Sequence, residues 1–395
     1  MPTEVVLAAP VRTPIGKFGG GLAQTSAVDL AVRAAVATLE RSGIAPDRID
    51  QTILGHARQA GCGPNPARQV AIAAGLPVER PAFTVNQACL SGMQAVMAAI
   101  RAIIVGEAHV VLAGGMESMS RVPYLLDARW GWRMGHQSAI DGMYRDGFVD
   151  PISDQIMGQT AETLATRYEI TRSEQDAYAA RTQQRAEAAW RDGRFDREIV
   201  PVEVAQRKKT ITVSRDEHPR DGVTVDGLAR LAPVFDAKNG TVTAGNSSGI
   251  TDGAATMLVL AGETADKLGI EPMARWVSSR VDGVRPEIMG IGPVPAVRNL
   301  LESTRVSLDD IDLIELNEAF AAQVLAVDRE LGFDPERLNV NGGAIALGHP
   351  IGCSGARILV TLLHEMQRRE VQRGLATLCV SGGMGGAMLV ERIGA

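Results

Sequence analysis

Two stretches separated by most of the chain follow one pattern. "NQACLSGMQAVMAAI" (86–100) and "HPIGCSGARILVTLL" (349–363) each set a Ser-Gly pair just inside an apolar helical run that follows a strand. Likewise "LAGGM" (112–116) matches "VSGGM" (380–384) in pattern. Self-similarity of this kind points to two degenerate α/β halves, because duplicated units bury one shared core between them. A chain built so has little freedom, since each half must present its apolar face to its twin.

The rest of the sequence fits that frame. Strand-like runs occur at "EVVLAA" (4–9), "TILGH" (52–56), "AFTVN" (82–86) and "HVVLAGG" (109–115), with a helix over "AVDLAVRAAVATLERSG" (27–43) that stops at a glycine. The second half offers a strand at "ARWVSSRVDG" (274–283), a helix in "GPVPAVRNLLEST" (292–304), and a strand entering a helix in "IDLIELNEAF" (311–320). A helix over "GCSGARILVTLLHEMQRRE" (352–370) and a strand pair, "LATLCVSGG" (375–383) and "AMLVERI" (387–393), complete it. This alternation predicts an α/β fold with parallel strands and short loops. Residues 120–247 break the rhythm with charged helices such as 173–193 and polar β-rich sequence around 209–217. An insertion that large lies over a scaffold and carries binding surface. The division expected is 1–119 with 248–271 as the first half, 120–247 inserted, and 272–395 as the second half.

Charge and cysteine usage exclude several functions. The formal net charge of −6 gives no basic field for nucleic acid. A local "RKK" (207–209) could meet a phosphate, although a solvated face is the blander reading. Four scattered cysteines make no disulfide framework, and neither they nor the six histidines have metal-ligand spacing, so no metal is expected. The longest apolar stretch is cut by Arg101, Glu107 and His109, so no membrane span is expected. With a strand-like run at once after the first residues and no leader visible, the expectation is a cytoplasmic enzyme or binding protein.

Four segments carry chemistry. Cys89 opens a helix, where unpaired backbone N–H groups and the positive dipole end favour a thiolate. The competing reading is a small buried thiol. His349 sits between Gly348 and Pro350 in the glycine-rich "NVNGGAIALGHPIGCSGAR" (339–357), a loop constrained enough to hold a base, or merely a structural turn. Cys353, downstream, is expected to pack behind that loop. Cys379 ends an apolar strand before "SGGMGG", small residues that let backbone N–H groups approach an oxyanion. A dinucleotide fingerprint needs a helix after its glycines, and here "AMLVERI" reads as a strand, so that reading fails. Asn317, in "ELNEAFA" (315–321), either caps a helix or holds a water or an imidazole. All four fall at strand ends beside glycines, the edge where open α/β sheets bind ligands.

With these segments in view, the chain resembles the thiolase family along essentially its whole length. The motifs "VRTPIGKFGG" (11–20), "CLSGMQA" (89–95), "AGGMESMS" (113–120), "TAGNSSGITDGAA" (243–255), "NEAFAAQ" (317–323), "NVNGGAIALGHPIGCSGAR" and "CVSGGMGGAM" (379–388) occur in family order. The resemblance implies a duplicated five-layered α-β-α-β-α architecture, an inserted loop domain, and homo-oligomers, dimers or tetramers. It implies a reversible Claisen condensation and thiolysis of 3-ketoacyl-CoA, by a ping-pong route through an acyl-cysteine. Acetyl-CoA C-acetyltransferase is the member expected, with a longer-chain degradative thiolase as the alternative. No cofactor is implied beyond coenzyme A thioesters as substrates.

By the same resemblance Cys89 is the nucleophile, His349 its base, Cys379 the second acid/base, and Asn317 the holder of a water. Backbone N–H groups of Cys89 and Ser381 would form one oxyanion hole, although family members often have glycine where Ser381 stands. Ser248, Arg220, Ala244, Met157 and Phe320 would contact CoA or line the pocket. Ile156-Met157 stands where short-chain biosynthetic members often carry His-Met, which removes a polar group near the acyl end. Related condensing synthases also acylate a cysteine but generally lack a cysteine at the second site. A non-catalytic CoA-binding scaffold would have no need of Cys89, Asn317, His349 and Cys379 together.

Overall fold

The computed structural model describes residues 3–206 and 209–394. Its first half contributes strands β1 (Val5–Arg12), β2 (Gln51–Gly55), β3 (Ala82–Val85), β4 (Val110–Ser118) and β5 (Thr251–Ala261). The second contributes β6 (Ala274–Gly283), β7 (Leu313–Leu316), β8 (Arg373–Val380) and β9 (Met384–Arg392). These run in the order β7-β8-β9-β6-β1-β5-β4-β2-β3, and the two half-sheets meet at β1 and β6 through Val6–Arg275 and Leu7–Ala274 only.

Each half repeats one topology. The first strand pairs antiparallel with the last, as β1 with β5 and β6 with β9, and the last pairs antiparallel with the one before it, as β5 with β4 and β9 with β8. The next neighbour is parallel, β4 with β2 and β8 with β7. Even β3 has a counterpart, reduced to a parallel bridge between Ile314 and Leu338. The sheet is therefore mixed, not parallel as the alternation suggested. Short connections between helix and strand do give parallel neighbours, but β8 and β9 are joined by a tight turn, and β5 returns from the insertion against the grain.

The helices of eight residues or more are α1 (Ala27–Ser42), α2 (Pro66–Ala73), α3 (Ser91–Ile104), α4 (Met157–Arg167), α5 (Arg172–Arg191), α6 (Pro293–Thr304), α7 (Ala321–Leu331) and α8 (Ile351–Arg369). Helix α1 starts where Ser26 Oγ accepts from the Asp29 N–H and stops at left-handed Gly43 (φ 67°). Both faces of β4 are buried. Val111 and Ala113 join the central core with α3 and α8, while Val110 and Leu112 join an outer core with α1 and α2. On β9, Met388 and Val390 face the centre, while Ala387 and Leu389 face α6 and α7. The resulting order is helix, sheet, helix, sheet, helix, with α3 and α8 as the middle layer.

Those middle helices touch through the repeated Ser-Gly pairs. A Cβ at Gly92 would lie 2.7 Å from Ala356 N, and one at Gly355 would lie 2.6 Å from Met93 N. The glycines are reciprocal, each accepting the other helix's backbone. The second likeness does not translate into structure. Leu112–Met116 lie inside a buried strand, whereas Ser381–Gly383 form the turn between β8 and β9.

The inserted segment, between Ser118 and Thr251, holds α4, α5 and a hairpin of Val202–Gln206 with Lys209–Val213. Arg12, fully buried at the end of β1, ties it to the scaffold. Its guanidinium donates to Glu198 Oε1 (2.6 Å) and to both oxygens of Asp216 (2.7 and 3.0 Å). Among the described residues no helix is long and apolar enough to cross a membrane.

Candidate active site

A cavity of about 270 Å³ opens at the carboxyl ends of the central strands, lined from both halves and from the insertion. Cys89, Cys379, His349 and Ser381 lie together along it.

Cys89 sits on a 3₁₀ turn, Ala88–Leu90, that runs directly into α3. The turn is tight enough to place Ala88 at φ +47°, a conformation L-residues rarely take. Side chains hold it there. Asn86 Oδ1 accepts from the Ala88 N–H (3.0 Å), and Ser91 Oγ accepts from Gln87 N–H (2.9 Å) while donating to Ala88 O (2.6 Å). Burial pushes the thiol up from its ordinary range. The Arg58 charge and the backbone N–H groups of Ser381 and Cys89, which point at the sulfur, oppose that shift without cancelling it. The helix start therefore does not deliver a resting thiolate, as its position alone suggested. Desolvation outweighs the N–H groups, and Cys89 rests as a neutral thiol.

Cys379, buried at the end of β8, is pushed well above the ordinary thiol range by burial first and by the neighbouring Cys89 second. Cys353, by contrast, packs in the central core, where burial takes its thiol up to about 12.

His349 is held from both sides. Its N–H donates to Gly249 O (3.2 Å), and Gly348 before it adopts φ +107°, where a Cβ would lie 2.4 Å from Thr251 Cγ2. The ring Nδ1 is 2.5 Å from Ser354 Oγ, which in turn donates to Pro350 O (2.9 Å). Because the hydroxyl's only proton is used on that carbonyl, Nδ1 is the donor and Nε2 keeps its lone pair. Burial, with help from Arg357 and Arg58, pulls the imidazole down to about 3, so it is neutral. Such a group can accept a proton from a thiol beside it.

Asn317 follows β7, its N–H donating to Thr377 O (3.0 Å). It caps no helix, since α7 begins at Ala321 after Phe320. Its side chain is fully buried, and neither amide atom has a protein partner. The neighbouring Glu318 clamps the loop leading to His349, accepting from Tyr178, Thr182, Asn339 and the Ile345 N–H.

Of the expected ligand contacts, Ser248, Met157 and Phe320 line the cavity, Phe320 stacking edge-on with Phe235 at 6.3 Å. Ala244 and Arg220 do not. Thr243 and Asn246 pin the 243–246 turn with Gly245 inward, which leaves Ala244 exposed, and Arg220 lies exposed on the insertion. A contact from either would be with a part of a ligand that projects beyond the cavity. Of "RKK", Arg207 and Lys208 lie outside the described residues, and Lys209 is exposed.

Sequence reasoning missed several groups. Buried Glu117 accepts from the N–H groups of Ala57 (3.2 Å), Arg58 (3.1 Å) and Gly352 (2.9 Å), joining the loop after β2 to the start of α8. Ser354 sets the His349 tautomer. Tyr144 and Phe148 reach the cavity from the insertion, as does Arg58 from the loop after β2. An arginine two residues after the strand-like "TILGH" (52–56) was the one available signal. Among the described residues no cluster could hold a metal ion.

Two family models match the chain, "Thiolase, N-terminal domain" over residues 5–263 and "Thiolase, C-terminal domain" over 270–392. An acetyl-CoA acetyltransferase of Chromobacterium violaceum is 52% identical over 391 residues, covering 98% of this chain and 100% of its own. The crystal structure of the Bacillus anthracis acetyl-CoA acetyltransferase has a TM-score of 0.97 at 48% identity, covering 99% of both chains. Human mitochondrial 3-ketoacyl-CoA thiolase in complex with CoA has a TM-score of 0.95 at 42% identity, over 99% of this chain and 98% of that one.

Proposed function

The chain belongs to the thiolase family, and on that premise we propose that it is an acetyl-CoA C-acetyltransferase, joining or cleaving 3-ketoacyl-CoA through an acylated Cys89. The observation that carries this reading is the placement of two thiols beside a neutral imidazole, with backbone N–H groups aimed at one sulfur. In the first half-reaction His349 Nε2 takes the Cys89 proton, and the thiolate attacks the acyl carbonyl. Neutral groups on both sides make this transfer simultaneous with attack, because a free ion pair in so dry a site is costly.

The N–H groups of Cys89 and Ser381 then stabilise the tetrahedral oxyanion, and CoA departs with the proton. In the second half-reaction Cys379, its own proton passed to the neutral His349, removes the α-proton of a second acetyl-CoA; the carbanion attacks the acyl-Cys89, and the departing Cys89 sulfur takes its proton back from His349. The enolate oxygen is met by His349 and by a water held on Asn317, whose orphaned amide atoms suit that task. A backbone donor at Ser381 works as well as one at glycine. Only the CoA thioesters take part, and the cycle calls on no cofactor.

We also infer self-association, because β3 is an open sheet edge with exposed Ile72, Val78 and Phe83 around it. Incubation with acetyl-CoA followed by intact-mass measurement tests the central step. The parent should gain one acetyl group and Cys89→Ala none. An adduct that persists on the variant removes Cys89 from the mechanism.

A further inference from the structure

One histidine that the proton transfers do not use touches both segments that hold the base. His218 belongs to the insertion, on a stretch clamped to the chain just after β1. Asp216 Oδ1 accepts from the Ile15 N–H (2.7 Å), and the Glu217 N–H donates to Ile15 O (2.9 Å). Glu217 Oε1 accepts in turn from the Gly21 N–H (2.9 Å). The half-buried ring of His218 therefore hangs from a fixed point.

Its Nδ1 lies 2.9 Å from Ala346 O, and because a carbonyl can only accept, Nδ1 carries the proton. Ala346 belongs to the single helical turn Ala344–Leu347, which ends just before Gly348 and His349. A turn so short leaves carbonyls without helical partners. Ile345 O is taken by Gln183 Nε2 (3.3 Å), whose Oε1 accepts from the Arg220 N–H (3.0 Å), and Ala346 O is taken by His218. The other edge of the ring fills the place of a side chain at Gly249, where a Cβ would lie 2.1 Å from His218 Nε2. Gly249 O is the acceptor of the His349 backbone N–H. Burial holds the His218 imidazole below its usual range, so the ring is neutral and needs no counterion.

We propose that His218 is a positioning residue for the acyl transfer: by bridging Ala346 and Gly249 it fixes the backbone from which His349 reaches Cys89. The inference rests on the acyl-transfer reading above and adds to it a group that acts through another side chain. Without the bridge the 344–347 turn and the segment at Gly249 move independently, and displacing a base by about 1 Å can cost about a hundredfold in rate. Both half-reactions pass a proton through His349, so both should suffer.

The test is single-turnover acetylation of Cys89 by acetyl-CoA, read by quenched intact-mass measurement, with steady-state thiolysis of acetoacetyl-CoA beside it. His218→Leu should slow acetylation by about 10- to 100-fold and lower kcat by a like factor, while KM stays within about threefold. His218→Asn and His218→Gln separate the hydrogen bond from packing. An Asn side chain can place its amide nitrogen where Nδ1 lies and should bring the rate to within about fivefold of the parent, whereas the longer Gln reaches the Nε2 place and should stay slow. Normal acetylation by His218→Leu, equal rates for the Asn and Gln variants, or lowered urea midpoints with kcat unchanged would each overturn the positioning role. The Asn and Gln pair gives the answer even where the leucine variant does not fold. A parent that takes no acetyl group overturns the acyl-transfer reading itself, which keeps the two failures apart.

Discussion

A nucleophilic cysteine at a helix start invites the assumption that it rests as a thiolate, and the residues around Cys89 argue otherwise. Burial raises the thiol and lowers His349 to about 3, so the resting pair is neutral on both sides. The alkylation rate of Cys89 by iodoacetamide should therefore keep climbing through pH 7 and 8, because the thiolate fraction is still growing there. A plateau already reached at pH 6 would mean a preformed thiolate–imidazolium pair. Much of this site was legible beforehand. Cys89, His349, Cys379 and Asn317 stand in glycine-rich motifs at strand ends, where the sequence context is itself unusual. Arg58 and Glu117 were not, because each acts where distant segments meet, and Ser354 reaches the ring of His349 only once the chain turns into a helix at Pro350. A charge just after a strand is visible in a sequence, but what it faces is a property of three dimensions.

At the level of elements, the repeated Ser-Gly pairs have a packing explanation. Gly92 and Gly355 let α3 and α8 approach backbone to backbone, and neither leaves room for a methyl group. Helix propensity alone would reward alanine at both positions by about 1 kcal/mol. Overpacking works the other way, and Gly92→Ala or Gly355→Ala should each lower stability by about 1–3 kcal/mol. Urea midpoints with unchanged slopes would report it, and a gain in stability from either change would rule out the close contact. Here too the sequence was informative within limits. Helix and strand positions followed from periodicity and glycine stops, yet strand direction did not. Periodicity records which face of an element is buried and is silent about which neighbour it pairs with. The likeness of "LAGGM" to "VSGGM" misled for the same reason, since small residues suit both a crowded strand and a tight turn.

For the molecule as a whole, the insertion is joined to the duplicated scaffold by a buried charge cluster. Arg12 faces Glu198 and Asp216 with no solvent to share the load. Removing the cation leaves two buried carboxylates, so Arg12→Leu should cost about 3–5 kcal/mol and loosen residues near 198 and 216 first. Hydrogen exchange would show that loss of protection, and uniform protection across the insertion would count against the cluster as its anchor.

The duplication has a further consequence. Matching the two Ser-Gly pairs sets Cys89 against Gly352, each two residues before its serine. A side chain at Gly352 would meet Ala57 N and Met116 O at 2.7 Å. The twin slot has been sealed by the backbone of the other half. The duplicated framework therefore accommodates one such centre, because a cysteine placed in the second slot would collide with backbone that no single side-chain change can move.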